Sequence, residues 1–176
     1  MGNGLIEKLR ADIVKAKETT RDNHVIILFL IKKSVRIVLV YRILNHFYYK
    51  NRFVYFLLTP LGIYYRLMTN RYCIDLPVKT RIGKGLKLNH AYSIVVNQRT
   101  VIGENVYLGH NITIGSNGNY IPVIGNNVEI FTGSLIIGNV DIGDNVKVGA
   151  GSLVIKSIPA NSIVVSAPCT ILNKQS

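Results

Sequence analysis

Tryptophan is absent from this 176-residue chain, and cysteine occurs only at Cys73 and Cys169. Two cysteines far apart and without ligand spacing give neither a disulfide framework nor a zinc site; a reducing compartment is expected, and no metal. Acidic residues are also scarce, nine Asp and Glu against 21 Lys and Arg, for a formal net charge of +12. Missing too is the uncharged run of about 20 residues that a bilayer-spanning helix requires. The closest approach, from Val25 onward, is interrupted by Lys32, Lys33, Arg36 and Arg42. Each would cost about 2.5–3.5 kcal/mol at a membrane centre. The opening MGNGLIEKLRADIVKAKETT lacks the layout of a signal peptide, and Ile6 breaks the myristoylation pattern after Gly2. The expected location is the cytoplasm, with peripheral contact at the inner membrane face open.

The positive charge is unevenly placed. Residues 1–72 hold 13 Lys and Arg against four acids, and residues 73–176 hold eight against five. No helix-turn-helix, zinc-ligand set or RNP-like motif accompanies the charge, so nucleic acid is not the expected partner. The first part, 1–72, reads as a helical leader. Leu5, Leu9 and Ile13 recur at helical spacing, Thr19, Thr20, Asp22 and Asn23 mark a turn, and a second helix starts near His24. Further on, Tyr48, Tyr49, Phe53, Tyr55, Phe56, Tyr64 and Tyr65 mingle with Lys50, Arg52, Arg66 and Arg71, and Pro60 and Gly62 divide the segment. Aromatics beside cations suit a headgroup layer; packing within an oligomer explains them equally.

From residue 73 the texture changes to a period of six. Ile124, Ile130, Ile136, Ile142, Val148 and Val154 lead six consecutive hexads, preceded by those at Ile82, Leu88, Ile102 and Leu108. Such a period fits a coil whose faces are each one short strand plus a corner, with the leading aliphatics stacked inside. The pairs Glu104-Asn105, Asn126-Asn127 and Asp144-Asn145 precede the second apolar residue and suit left-handed corners. The register breaks twice. Leu88 to Ile102 spans 14 positions and Ile114 to Ile124 spans 10, the second surplus falling in GSNGNYIP, a protruding loop. Insertions in solenoids gather on the working face, which makes this loop a candidate wall of a site.

Residues 73–171, including IGKGLKLNHAYSIVV, TIGSNG, GDNVKVGAGSLVIKSIPANS and APCTI, resemble the hexapeptide-repeat acyltransferase superfamily, and within it the serine acetyltransferase branch. The resemblance implies a mainly β fold, a left-handed parallel β-helix (73–176) behind an α-helical N-terminal region (1–72). It also implies acetyl-CoA as cosubstrate and a homotrimer with the cosubstrate between adjacent β-helices. It implies His90 as the base that takes a proton from the acceptor hydroxyl. Asp75, 15 residues earlier, would orient the imidazole and stabilise its cation. His110 is the rival base. Gly115, Thr132, Gly133 and Ala150 would expose backbone to the pantetheine arm, and Lys156 would meet a CoA phosphate.

Two departures from the branch bear on the acceptor. Tyr120 and Ile121, before Pro122, stand where serine acetyltransferases carry an Arg-His pair for the amino acid's carboxylate. Asn89 replaces an Asp that faces the amino group. With both charged contacts gone, Asn89 and Tyr120 become candidates for binding a neutral, polyhydroxylated acceptor. The leader followed by such a solenoid is similar to O-acetyltransferases of capsule, exopolysaccharide and O-antigen pathways. The reading is therefore an acetyl-CoA-dependent O-acetyltransferase of a sugar hydroxyl, free or lipid-linked, in surface polysaccharide biosynthesis. Serine O-acetyltransferase is the alternative, and a non-catalytic solenoid docking to a membrane or partner is the third.

Overall fold

The computed structural model describes residues 4–18 and 32–166. Four helices precede the solenoid: α1 (Leu5–Lys17), α2 (Lys33–Lys50), α3 (Arg52–Leu57) and α4 (Thr59–Arg71). The proposed turn at 19–23 and the start of the second helix near His24 lie outside the described residues, as does the APCTI segment.

Fourteen strands of two to four residues then wind into a parallel β-solenoid. They form three sheets, β1-β4-β7-β10-β13, β2-β5-β8-β11 and β3-β6-β9-β12-β14. Each strand from β4 to β13 therefore pairs with the one three before it, β14 pairs with β12, and each hexad supplies one strand of one face. We call the faces A, B and C in that order. The six leading aliphatics from Ile124 to Val154 are all buried, as are Ile82, Leu88, Ile102 and Leu108. Stacking them coil upon coil gives one continuous core, which the six-residue period required.

The register breaks have distinct structural answers. In coil one Ile74 and Leu76 are both buried, and in coil two Ile94 and Val96 are. Ile112 and Ile114 of coil three are buried in the same register, so the two-residue surplus lies in the corner before face A, which has five residues between Leu88 and Ile94 against three between Leu108 and Ile112. The four-residue surplus emerges as a hairpin in which Asn117 and Tyr120 exchange backbone hydrogen bonds of 3.0 and 3.1 Å. Arg99 steadies it by donating to the Gly118 carbonyl at 3.0 Å.

The corners between faces B and C carry an asparagine ladder. Asn105, Asn127, Asn145 and Asn161 all take positive φ of 54–61°. Each donates its side-chain amide to the next, at 3.2, 3.1 and 2.9 Å. Beside them Gly103 lies so close to the next coil that an added Cβ would fall 2.5 Å from the Gly125 carbonyl oxygen. Only glycine permits that stacking distance.

The helical leader closes the open end of the solenoid. Coil one has no coil beneath it, so the carbonyls at 76–83 need other donors. Side chains of α2 and α4 provide them. Tyr41 donates to the Thr80 carbonyl at 2.5 Å, Asn45 to Val78 at 2.7 Å and Tyr65 to Leu76 at 2.7 Å. Arg42 donates to the carbonyls of Ile82 and Gly83. Its guanidinium also pairs with Asp12 of α1 at 2.7 Å, both side chains being 1–2% exposed. Helix α1 is thus anchored by a buried carboxylate as well as by its apolar stripe, of which Leu5, Leu9 and Ile13 stay half-exposed. Arg42, which spoke against a membrane span, serves here as the latch between leader and solenoid.

Candidate active site

His90 occupies the corner between faces C and A. Each coil passes this edge with one residue after the face-C strand's neighbour, giving a column of His90, His110, Thr132, Ala150 and Ser166. The rings of His90 and His110 meet edge to face with centroids 5.5 Å apart. His110 Nδ1 lies 3.1 Å from Thr132 Oγ1, and Ser166 donates to the Ala150 carbonyl at 3.0 Å. His90 is exposed, whereas His110 is half-buried.

The backbone distinguishes the His90 corner from the others. His90, Ala91 and Ser93 take φ of 59°, 39° and 49°. Elsewhere among the described residues a non-glycine with positive φ is an Asn, apart from Cys73 directly beneath this corner. Left-handed backbone at His, Ala and Ser stores strain that the surrounding coils must hold, a feature that gathers at functional sites. Asn89 hydrogen-bonds the phenol of Tyr107, opposing the burial that raises that phenol's pKa.

The residues expected to hold the cosubstrate fall into two groups. Thr132, Gly133 and Ala150 share the histidine corner. Gly133 and Gly151 have φ of 76° and 68°, and an added Cβ would meet nothing nearer than 3.7 Å at Gly133 and nothing within 4 Å at Gly151. The corner is therefore bare backbone, open to an extended arm with amides to pair, which fits a pantetheine. Gly115 and Lys156 lie across face A, Gly115 beside Ile137 where the hairpin leaves the coil. Between the groups run the outward residues Val95, Thr113, Leu135 and Leu153, aligned in register. Tyr120 sits on the hairpin, 61% exposed, and does not line the cavity beside His90.

Asp75 points outward from β1, whose neighbour β4 follows the His90 corner. Among the described residues no hydrogen bond or ion pair joins Asp75 to His90. What does adjoin His90 is a cavity of about 480 Å³, walled by Lys32, Lys33 and Arg36 of the α2 start together with Lys87 and Asn89. The leader residues were not visible as site residues from spacing, because Lys33 and His90 lie 57 positions apart. One signal was available. No Asp or Glu occurs between Asp22 and Asp75, a stretch with eight Lys and Arg.

Comparison with known proteins agrees with the hexapeptide-repeat fold. The family described as "Bacterial transferase hexapeptide (six repeats)" matches residues 121–156. Serine acetyltransferase from Helicobacter pylori strain J99 is 30% identical over 82% of this chain and 84% of its own length. "Putative colanic acid biosynthesis acetyltransferase WcaB" from Escherichia coli K12 is 35% identical over 60% of this chain and 68% of its own. The soybean serine acetyltransferase structure with serine superposes with a TM-score of 0.77 at 30% identity, covering 96% of this chain and 69% of that one. The chain therefore belongs to the hexapeptide-repeat acyltransferases, the superfamily that includes the serine acetyltransferases. It spans about half the length of some curated relatives, 54% in the case of chloroplastic serine acetyltransferase 1 of Arabidopsis thaliana.

Proposed function

We propose that this protein is an acetyl-CoA-dependent O-acetyltransferase acting on a sugar hydroxyl, with His90 as the general base. The observation that carries this reading is the corner column. An exposed imidazole on strained backbone stands at a cavity mouth, and the same edge two and three coils on is bare Gly133, Ala150 and Gly151.

In the proposed step His90 takes the hydroxyl proton as the acceptor oxygen attacks the thioester carbonyl. The tetrahedral intermediate collapses, the carbon–sulfur bond breaks, and the imidazolium returns its proton to the departing thiolate. Ester and free CoA result. Asp75 stabilises the imidazolium, closing on it once the positive charge forms; such bonds are often long before substrate binds. His110, held by Thr132, packs the edge of the base.

Serine is the second reading, favoured by the names of most of the relatives. Against it stand Tyr120 and Ile121 in place of the carboxylate clamp, and the Lys33 and Lys87 cations that line the cavity beside His90 and repel an ammonium group. The match to WcaB supports the sugar reading. The outward apolar row on face A, with Val95, Leu135 and Leu153 at 39–62% exposure, supports a trimer packed through the solenoids. Helices α3 and α4 expose Phe53, Phe56, Leu57, Ile63 and Leu67 beside Arg52, Arg66 and Arg71, which supports contact with an anionic bilayer. No described helix is long and apolar enough to cross a membrane.

Purified protein with acetyl-CoA and a panel of acceptors tests the reading. Transfer to sugars above serine is expected, abolished by His90→Ala. Serine as the best acceptor refutes it.

A further inference from the structure

The cavity beside His90 has an electrostatic character that acetyl transfer to a neutral sugar does not require. Its described lining carries four cations, Lys32, Lys33, Arg36 and Lys87, and a single acid, Asp12. Asp12 is fully committed. One carboxylate oxygen accepts from Arg42 Nε at 2.7 Å. The other accepts from Arg42 Nη2 at 3.1 Å and from the Leu86 amide at 2.8 Å. The charge of Asp12 is balanced by the Arg42 guanidinium.

Glu18 and Glu129, the described acids whose charges act on Lys87, are committed too. Glu18 pairs with Lys15 at 3.1 Å, and Glu129 pairs with Lys147 at 3.3 Å. Among the described residues neither Lys33 nor Lys87 forms an ion pair. Aromatic faces hold them instead: Lys33 Nζ lies 4.4 Å from the Tyr72 ring centroid and 5.6 Å from that of Tyr92, and Lys87 Nζ lies 5.7 Å from that of Tyr107. Rings fix the position of an ammonium without neutralising it. Partial burial lowers the Lys87 pKa, and Lys15 and Lys32 lower it further against Glu18 and Glu129. Two positioned ammonium groups that form no ion pair among the described residues, beside the proposed base, form a receptor for a multiply charged anion.

We infer that this cavity binds the phosphate or diphosphate of the acceptor, with Lys33 and Lys87 as its ligands, so that the substrate is a phosphorylated sugar. The inference rests on the sugar reading above and narrows it. Nucleoside-diphosphate sugars and polyprenyl-diphosphate sugars share the recognised group. Its placement next to His90 presents a hydroxyl of the attached sugar to the imidazole.

Calorimetric titration of the full chain with inorganic pyrophosphate tests the subsite directly. Binding is expected to weaken about tenfold or more for Lys33→Gln and for Lys87→Gln, the loss of one charge-assisted contact each. Lys33→Arg should retain most of it, and Lys147→Gln, outside the cavity, should bind as the unaltered protein does. Thermal melts of each variant verify folding. Pyrophosphate should also compete with the sugar acceptor and not with acetyl-CoA. UDP and farnesyl diphosphate as competitors separate the two sources: the tighter inhibitor names the nucleoside or the lipid carrier.

Three results overturn the inference: no pyrophosphate binding at millimolar concentration, binding that survives the double Lys→Gln variant, or competition with acetyl-CoA alone, which would hand the cavity to CoA's own phosphates. Failure of the sugar reading looks different. Serine turnover with pyrophosphate still bound by Lys33 and Lys87 removes the sugar and keeps the anion site. Sugar acetylation indifferent to pyrophosphate removes the site and keeps the reaction.

Discussion

Replacing Asp12 by alanine should be among the most destabilising single changes in the leader. Arg42 is 1% exposed, and its Nε and Nη2 would lose carboxylate partners at 2.7 and 3.1 Å. The Leu86 amide would lose its acceptor at 2.8 Å as well. A buried charge stripped of its partner costs about 3–5 kcal/mol, and the orphaned amide lies within the same loss. At a urea m-value of about 2 kcal/mol/M this shifts the unfolding midpoint down by about 2 M. Equilibrium unfolding followed by circular dichroism reads the shift. The control is Asp12→Leu with Arg42→Met. Removing both charges leaves no unpaired ion, so the double variant should be more stable than Asp12→Ala alone, although the carbonyls of Ile82 and Gly83 lose a donor. A single variant within about 1 kcal/mol of the unaltered protein would refute the latch argument, and so would a double variant less stable than the single.

Other consequences follow from the same contacts. His90→Ala should lower kcat by about 10²–10⁴-fold, and His110→Ala by much less; the reverse order, in steady-state assays of CoA release, would exchange their roles. Burial raises the phenol pKa of Tyr41, so above pH 10 the unfolded chain releases a proton that the folded chain keeps, and stability falls with rising pH. The stability gap between the unaltered protein and Tyr41→Phe should therefore shrink by about 1.4 kcal/mol per pH unit above pH 10. Urea midpoints at pH 9, 10.5 and 11.5 measure it, and a constant gap contradicts the burial argument. Gly103→Ala should cost about 1–3 kcal/mol, because its Cβ would press on the Gly125 carbonyl; an unchanged melting temperature would show that the coils can separate. Full-length protein should float with anionic vesicles and not with neutral ones, through α3 and α4. A tight oligomer that ignores both vesicles would assign that surface to a neighbouring subunit.

The solenoid was written in the sequence because its signal is local and repeated. Ile124 to Val154 announce their own stacking, since every coil must bury the same position, and Asn105, Asn127 and Asn145 announce the corners, since few residues accept that backbone. His90 was singled out by resemblance to the serine acetyltransferase branch and not by the period, because its corner departs from the repeat. The leader was not legible in either way. Its apolar period located α1 but gave no sign that Asp12 would be buried against Arg42, 30 residues on. Nor could the tyrosines be divided by pattern, for Tyr41, Tyr49 and Tyr65 cap carbonyls of coil one while Tyr64 stays at the surface. The cavity beside His90 likewise arises only when α2 folds back on the first coil and brings Lys33 to Lys87. Repeats encode contacts between equivalent positions, and a period exposes them. A single latch between unlike segments has no period, so only the folded chain can reveal it.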